Sequence, residues 1–143
     1  MTVSWILKEK GRNVCSTLPG SAITEIITLL AKNRIGAVVI TDELHHVLGI
    51  ISERDIVRIL ATQGAAALDE PVGEHMTRPV ITCSEHHSLD WLMEQMTTRR
   101  FRHIPVADQN RLAGIVSIGD VVKHKLALAE SEAAQMRQYF AAG

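Results

Sequence analysis

The stretch Gly49-Ile-Ile-Ser-Glu-Arg-Asp55 returns later in the chain as Gly114-Ile-Val-Ser-Ile-Gly-Asp120. In both copies a glycine and two apolar residues precede a serine, and an aspartate follows three positions after that serine. An apolar run followed by a serine is typical of a buried strand that leads directly into a helix capped by the hydroxyl. The aspartate lies in the first helical turn, where the helix dipole favours a negative charge. Two copies of this motif indicate an internal repeat.

The repeat extends outward from the motif in the N-terminal direction. Residues 14–42 align with residues 80–108 without a gap, and Arg34 then falls on Arg100. An apolar set spaced like one face of an amphipathic helix recurs in this alignment. Its members are Ile23, Ile26, Ile27 and Leu30 in the first copy, and Leu89, Leu92, Met93 and Met96 in the second. Each copy therefore predicts the order strand, helix, strand, strand, helix.

The hydropathy pattern and the turn residues place the elements of each copy. In the first copy we predict a strand at 14–16, a helix at 22–33, two strands joined by a turn at 42–46, and a helix at 53–63. In the second copy we predict a strand at 80–82, a helix at 88–99, and two strands joined by a turn at 108–111. Residues 65–79 are expected to link the copies, with one helical turn at 72–76.

We therefore expect an α+β fold of two similar βαββα units with extensions. The expected boundaries are an N-terminal helical segment at 1–13, unit one at 14–64, the linker at 65–79, unit two at 80–128 and a C-terminal helix extension at 129–143. The tail helix is predicted over 118–140, with a coiled-coil type of apolar seam formed by Val122, Leu126, Ala129, Ala133, Met136 and Phe140. This seam packs either on its own module or on a second subunit.

Composition restricts the class of protein. The 143 residues include 15 Lys and Arg against 16 Asp and Glu, a balance that argues against a nucleic-acid or membrane-surface binder. Cys15 and Cys83 are far apart and form no Cys-x-x-Cys motif, which excludes a disulfide framework and favours the cytoplasm. No apolar run approaches the roughly 18 residues of a membrane span.

Catalytic and metal-binding motifs are missing from the sequence. It contains no Gly-x-Ser-x-Gly, no Cys-His nucleophile motif and no glycine-rich phosphate loop. The histidine pairs at 45–46 and 86–87 are adjacent in the chain, so they do not converge as helix-spaced metal ligands do. We expect neither an enzyme nor a required metal.

The double βαββα pattern, with Gly-apolar-apolar-Ser-x-x-Asp near the end of each copy, resembles a tandem pair of cystathionine-β-synthase (CBS) domains. The stretch Arg99-Arg-Phe-Arg-His-Ile-Pro-Val106 also resembles the second unit of such pairs. The resemblance covers about residues 14–128. It implies two units packed sheet to sheet about a pseudo-two-fold axis, with two clefts that can each hold an adenosine derivative.

The resemblance assigns roles to the repeated motif. In the family the motif's aspartate holds the ribose hydroxyls, which here designates Asp55 and Asp120, preceded by Ser52 and Ser117. One carboxylate can accept hydrogen bonds from both hydroxyls. The base is expected near the first strand and the start of the second strand of each unit, at Cys15, Ser16, Ala37 and Val38, and at Thr82, His103, Ile104 and Pro105.

Phosphate groups need cations or free N–H groups. In related modules the phosphate of a nucleotide held by one unit reaches basic residues of the other unit. The nucleotide on Asp55 is therefore expected to meet Arg102 and His103, and the nucleotide on Asp120 is expected to meet Arg54.

The two clefts are not equivalent in sequence. Gly119 stands where the first unit has Arg54, which leaves backbone room but no charge. Arg100 either belongs to the phosphate site or lies at a solvated helix end, where the dipole favours cations. The same choice, with the solvated end favoured, applies to three cations near the N-terminus: Lys8, Lys10 and Arg12.

The expected function is that of a regulatory module that binds an adenine nucleotide. AMP is the first candidate and ADP, ATP and NAD(H) are alternatives, since the arginines favour phosphorylated ligands over S-adenosylmethionine. Binding would shift the population of two conformations and act on a regulated protein that the sequence does not identify. A homodimer is expected, because the exposed helix faces need cover. The alternative is an interaction or dimerisation module whose clefts bind no ligand.

Overall fold

Within residues 1–142, which are the residues it describes, the computed structural model contains five α-helices and five β-strands. The helices are α1 (Val3–Lys10), α2 (Ile23–Asn33), α3 (Glu53–Gln63), α4 (Leu89–Arg99) and α5 (Ile118–Ala142). The strands are β1 (Ser16–Thr17), β2 (Ala37–Thr41), β3 (Val47–Ser52), β4 (His103–Asp108) and β5 (Arg111–Ser117). The fold is α+β, as predicted, and the last residue of the expected 129–143 extension lies outside the described residues.

The strands form two small sheets, one in each unit. In the first sheet β1 pairs parallel with β2, and β2 pairs antiparallel with β3. In the second sheet β4 pairs antiparallel with β5. The sheets meet where the Val47 N–H donates to the Asn110 carbonyl and the Leu112 N–H donates to the His45 carbonyl, both at 2.9 Å. The two units are therefore joined through their turns.

The predicted strand at 80–82 is not formed, which corrects the sequence analysis. Only Cys83 makes a parallel bridge to β4. In the first unit the Val39 N–H donates to the Cys15 carbonyl at 3.2 Å, and this bond continues the parallel pairing. The position that matches Val39 in the second unit is Pro105, which has no N–H to donate. The first strand of the second unit is therefore reduced to a single bridge.

Each unit has its own hydrophobic core, and each core includes a segment from outside the repeat. The core of the second unit contains Val3, Ile6 and Leu7 of α1. The core of the first unit contains Ala67 and Val72 of the linker, which lie in two 3₁₀ helices over Ala65–Asp69 and Val72–Glu74. Thus α1, which precedes the first unit, packs on the second unit, and the linker, which precedes the second unit, packs on the first.

The backbone bridges show the same arrangement of α1 on the second unit and the linker on the first. Thr2 forms an antiparallel bridge with Ser88, at the start of α4, and Pro71 forms one with Ala22, at the start of α2. Ala22 and Ser88 occupy matching positions of the two copies, so α1 and the linker play equivalent parts. The sequence analysis placed one segment in an N-terminal helical region and the other in the linker, without relating them.

The tail of α5 does not pack on its own module. Every residue from 129 to 142 is exposed, and the apolar seam is open to solvent at Val122 (48%) and Leu126 (60%). Of the two alternatives for this seam, packing on the same chain is not observed. No helix within residues 1–142 combines the length and the apolar character that crossing a membrane requires.

Candidate functional site

The first copy of the motif forms a capping box at the start of α3. The Ser52 hydroxyl accepts the Asp55 N–H at 3.3 Å, and Asp55 Oδ2 accepts the Ser52 N–H at 2.8 Å. The reciprocal bonds satisfy N–H groups that a helix start leaves unpaired. The other oxygen, Asp55 Oδ1, has one contact at 3.4 Å, from the largely exposed Arg58. Asp55 therefore keeps an oxygen with accepting capacity at the mouth of the helix.

The second copy of the motif has the same geometry. Asp120 Oδ2 accepts the Ser117 N–H at 2.9 Å, and the Ser117 hydroxyl accepts the Asp120 N–H at 3.2 Å. The two aspartates are therefore held in equivalent orientations by local contacts. What differs between them is the set of residues that the rest of the fold brings close.

A cavity of about 380 Å³ lies between the two units beside Asp55, which is within the range of small-ligand sites. From the first unit its lining includes Ala37, Ser52, Glu53, Arg54, Asp55 and Arg58. From the linker and the second unit its lining includes Pro79, Val80, Ile81, Arg100, Arg102 and His103. A carboxylate, several cations and an apolar wall thus come together in one cleft.

The predicted residues divide into those that line this cavity and those that do not. The ones in the cavity are Ala37, Ser52, Arg54, Asp55, Arg100, Arg102 and His103. The others are Cys15, Ser16, Val38, Thr82, Ile104, Pro105, Ser117, Gly119 and Asp120. Val38 and Ile104 are fully buried in the two cores, which corrects their expected contact with a base. Side chains alternate along a strand, so their neighbours Ala37 and His103 face the cleft instead.

Arg54 also departs from its expected place. It was expected to serve a nucleotide on Asp120, but it lines the cavity that contains Asp55. Arg54 is the second residue of α3, whose start forms that side of the cleft, and its charge adds to that of Arg102. The cation that reaches Asp120 comes from elsewhere in the chain.

Lys10, the last residue of α1, supplies that cation. Its ammonium donates to Asp120 Oδ2 at 2.7 Å and to the Ile115 carbonyl at 3.0 Å. Burial raises the pKa of the Asp120 carboxyl, but the hydrogen bonds from Lys10 and Ser117 and the charge of Lys10 outweigh it, and the pKa lies below its ordinary value of 3.8. The solvated end favoured for Lys10 is therefore wrong, although Lys8 lies exposed over the ring of Trp5.

His103 lies in the Asp55 cavity and is close enough to Lys10 and Asp120 for their charges to act on it. It lines the Asp55 cavity, and an added Cβ on Gly36 would lie only 3.1 Å from its Cε1 atom, so the ring closely approaches the first unit. Burial and the charge of Lys10 lower the pKa of His103 below 6.5, while Glu53 and Asp120 act in the opposite direction. The ring is therefore mainly neutral at pH 7 when no anion is bound.

The cavity includes residues that the sequence analysis missed. Pro79, Val80 and Ile81 form an apolar wall opposite the charged residues of the α3 start. Val80 and Ile81 belong to the strand predicted at 80–82, where the analysis named only Thr82, and Pro79 is the last residue of the predicted linker. The available signal was the hydropathy of Val80 and Ile81, which fits a pocket wall as well as a core.

Other reactive groups are engaged or buried. Burial raises the pKa of the Cys83 thiol to about 12 and also raises the pKa of Cys15, so neither is an activated nucleophile. Ligand atoms of Glu70, Glu74 and His75 lie within 4.8 Å of one another, but His75 Nε2 already contacts Glu70 Oε2 at 2.6 Å. Within the described residues, His75 and Glu70 are therefore already hydrogen-bonded to each other in the linker.

The fold and the cleft together define a class of protein: a tandem pair of βαββα units with a polar site built from both. The sequence matches the CBS domain twice, over residues 12–62 and 72–127. The chain therefore belongs to the CBS-domain family.

Similar proteins come from bacteria, archaea and plants. A CBS-domain containing protein from Agrobacterium tumefaciens is 48% identical, with a TM-score of 0.84 over 87% of this chain and 99% of that one. A mitochondrial CBS domain-containing protein of Arabidopsis thaliana is 30% identical over 99% of this chain and 73% of its own length. A CBS domain protein from Pyrobaculum aerophilum, solved complexed with AMP, is 31% identical, with a TM-score of 0.75 over 84% of this chain and 89% of that one.

Proposed function

We propose that this chain is a regulatory module that binds an adenine nucleotide in the cavity beside Asp55. One observation carries the proposal: the carboxylate of Asp55, from one unit, and the side chains of Arg102 and His103, from the other, line a single cleft. Ribose hydroxyls and a phosphate are the two polar ends of a nucleotide. A carboxylate suits the first and a guanidinium suits the second.

The cavity offers a partner for each part of AMP. Asp55 accepts the ribose hydroxyls, and Arg102 with His103 binds the phosphate. The base lies against the apolar wall of Val80 and Ile81, where backbone groups read its edge. Arg54 and Arg100 line the same cavity and add positive charge for further phosphates. ADP, ATP and NAD(H) are therefore alternatives to AMP, and no metal is required in this proposal.

A second nucleotide binds at Asp120 in the same proposal. Ser117 holds its carboxylate as Ser52 holds that of Asp55. Gly119 leaves backbone room beside it, and the segment that contains Cys15 and Ser16 is the counterpart of the Val80 and Ile81 wall. The two clefts differ in their cations, so we propose that they differ in the nucleotide they prefer.

The AMP complex of the Pyrobaculum relative supports the choice of AMP as the first ligand. Binding would act by population shift, since a ligand that fits one arrangement of the two units better favours that arrangement. The proposed units span residues 14–64 and 80–128. The output passes to a regulated protein or to an altered association state, and the proposed setting is the cytoplasm, where the free thiols of Cys15 and Cys83 persist.

The test is binding to the purified chain and to two single variants. A ligand at 100 times its dissociation constant is expected to raise the free energy of unfolding by about 2.7 kcal/mol, which a thermal-shift screen detects. Asp55→Ala is expected to remove one AMP site in calorimetry and Asp120→Ala the other. Each variant is the control for the other's effect on folding, because each removes the aspartate of an equivalent capping box. Unchanged binding in both variants would refute the proposal.

A second candidate function is supported by the exposed helix surface. Val57 on α3, with Val122 and Leu126 on α5, leaves apolar side chains in solvent. Apolar surface of this kind favours contact with another protein surface. In this alternative the chain is an interaction or dimerisation module whose clefts bind no ligand. Dimerisation without any nucleotide-dependent thermal shift would favour it.

A further inference from the structure

Lys10 places a cation directly on the Asp120 carboxylate, at the second proposed nucleotide site. Lys10 contacts both the Asp120 carboxylate and the Ile115 carbonyl, and its side chain is 31% exposed. An ammonium group carries three N–H donors. Two of them are used by these contacts, and the third has no partner among residues 1–142. The charge therefore stands beside the proposed ribose site with one donor left for a ligand.

The position of Lys10 is set by a buried helix rather than by a loose chain end. Val3, Ile6 and Leu7 are in the core of the second unit, and Leu7 packs directly over Gly114 of β5. The helix ends at Gly11, which has a φ of 95° and donates its N–H to the Leu7 carbonyl. The fixed helix end keeps Asp120 within reach of the flexible four-carbon stem of Lys10, and the ammonium can turn to a ligand there without movement of the helix.

The corresponding position in the other half carries no charge. Thr2 and Pro71 make equivalent bridges, and Leu7 lies over Gly114 as Met76 lies over Gly49, so Lys10 corresponds to Pro79, which lines the Asp55 cavity. Asp55 instead faces the open cavity and its arginines. Lys10 is thus an asymmetric addition to a symmetric framework, and it distinguishes the two clefts.

The charge balance at Asp120 decides which ligands fit. A ribose that takes both carboxylate oxygens competes with the ammonium for Oδ2, and the ammonium then needs a new anion. A phosphorylated ligand supplies one, whereas an unphosphorylated nucleoside does not. We propose that Lys10 makes the Asp120 cleft selective for phosphorylated adenosine derivatives by transferring from the carboxylate to the ligand phosphate. This inference rests on the proposed nucleotide binding.

The test compares AMP with adenosine at the Asp120 cleft alone. In the full-length Asp55→Ala chain, calorimetry gives the two dissociation constants and their ratio. Lys10→Met is expected to weaken AMP by about tenfold, the value of one charge-assisted hydrogen bond, and to leave adenosine unchanged or bound more tightly. Lys10→Arg keeps the charge and is expected to keep most of the preference. Lys8→Met, on the exposed side of the same helix, is the matched control and is expected to leave both constants unchanged.

Three results would overturn the inference. An equal gain for both ligands in Lys10→Met means that Lys10 only obstructs the cleft. An unchanged ratio means that the lysine does not contact the phosphate. Failure of the wild-type chain to bind any adenosine compound removes the proposed function and this inference together. The first two results require binding, so they leave the proposed function standing.

Discussion

At the scale of single residues, the two copies of the serine–aspartate motif have different surroundings. Asp55 and Asp120 are each fixed by the serine three residues earlier, within the same capping box. Tertiary contacts then place Arg102 and His103 near Asp55, and Lys10 on Asp120. The local sequence therefore determines the orientation of each carboxylate, whereas distant residues determine its charge environment.

Arg102 is expected to distinguish a phosphorylated ligand from an unphosphorylated one. In an Asp120→Ala background, which leaves only the first cleft, Arg102→Ala should weaken AMP by about tenfold because a charge-assisted hydrogen bond is lost. Adenosine carries no phosphate, so its affinity should change little. Calorimetry with both ligands measures the difference, and Arg111→Ala, an exposed arginine outside the cavity, is the control. Equal losses for the two ligands would assign Arg102 to packing.

His103 is expected to make stability depend on pH. Burial lowers the pKa of its folded state below 6.5, so the unfolded chain binds a proton more readily than the folded chain. The contribution of neutral His103 to the free energy of unfolding is fully present above about pH 6.5 and decreases as the pH falls below that value. Urea denaturation at pH 7 and pH 5.5 measures how much the free energy of unfolding decreases between the two pH values. This decrease should be smaller for His103→Asn than for wild type. Equal losses would contradict this, since the other histidines titrate in both proteins.

At the scale of elements, the short helix α1 has two roles. It is outside the repeat, yet its apolar face completes the core of the second unit and its last residue reaches Asp120. The helix thus links the packing of the second unit to the charge of the second cleft. The linker fills the equivalent place on the first unit with Ala67 and Val72 but brings no charge to Asp55.

Leu7→Ala is expected to destabilise the protein strongly. Leu7 is almost fully buried against Gly114, and truncating such a leucine typically costs about 2–5 kcal/mol. Leu44→Ala, in the exposed β2–β3 turn, is the matched control and should change the free energy of unfolding by about 0.5 kcal/mol or less. Urea denaturation measures both variants. Similar small effects for the two would mean that α1 does not pack as described.

At the scale of the whole molecule, the exposed apolar surface leads to an expectation about assembly. The tail of α5 projects beyond the second unit with its seam uncovered. A two-fold partner would bury the same face on both copies. The exposed apolar seam of α5 is therefore the surface through which we expect a homodimer to form.

The full chain is expected to sediment as a dimer at micromolar concentration. Leu126→Glu should shift the equilibrium to the 15.8 kDa monomer, because it places a charge in the apolar seam. Leu44→Glu is the matched control, since Leu44 is 63% exposed but lies in the β2–β3 turn. A wild-type monomer, or equal effects of the two variants, would refute the proposed interface. Truncation after residue 128 then tests whether the core helices associate without the tail.

The sequence by itself determined the features that depend on neighbours along the chain. Helix periodicity, strand hydropathy and the serine–aspartate caps act within a few residues, so they predicted two βαββα units and the resemblance to CBS pairs. The resemblance to CBS pairs then named Asp55, Arg102 and His103 as candidates. The predicted strand at 80–82 failed because hydropathy does not register the N–H that Pro105 lacks.

Only the tertiary structure decided which distant residues meet. It packed α1 on the second unit, brought Lys10 to Asp120, and placed Arg54 in one cavity with Arg102. These outcomes depend on how the two units and their flanking segments dock. Burial of apolar area drives that docking. Because this force depends on the area buried and not on which residues supply it, the local sequence does not reveal which segments will meet. A repeat pattern therefore specifies two similar clefts, and the packing of the segments outside the repeat makes them different.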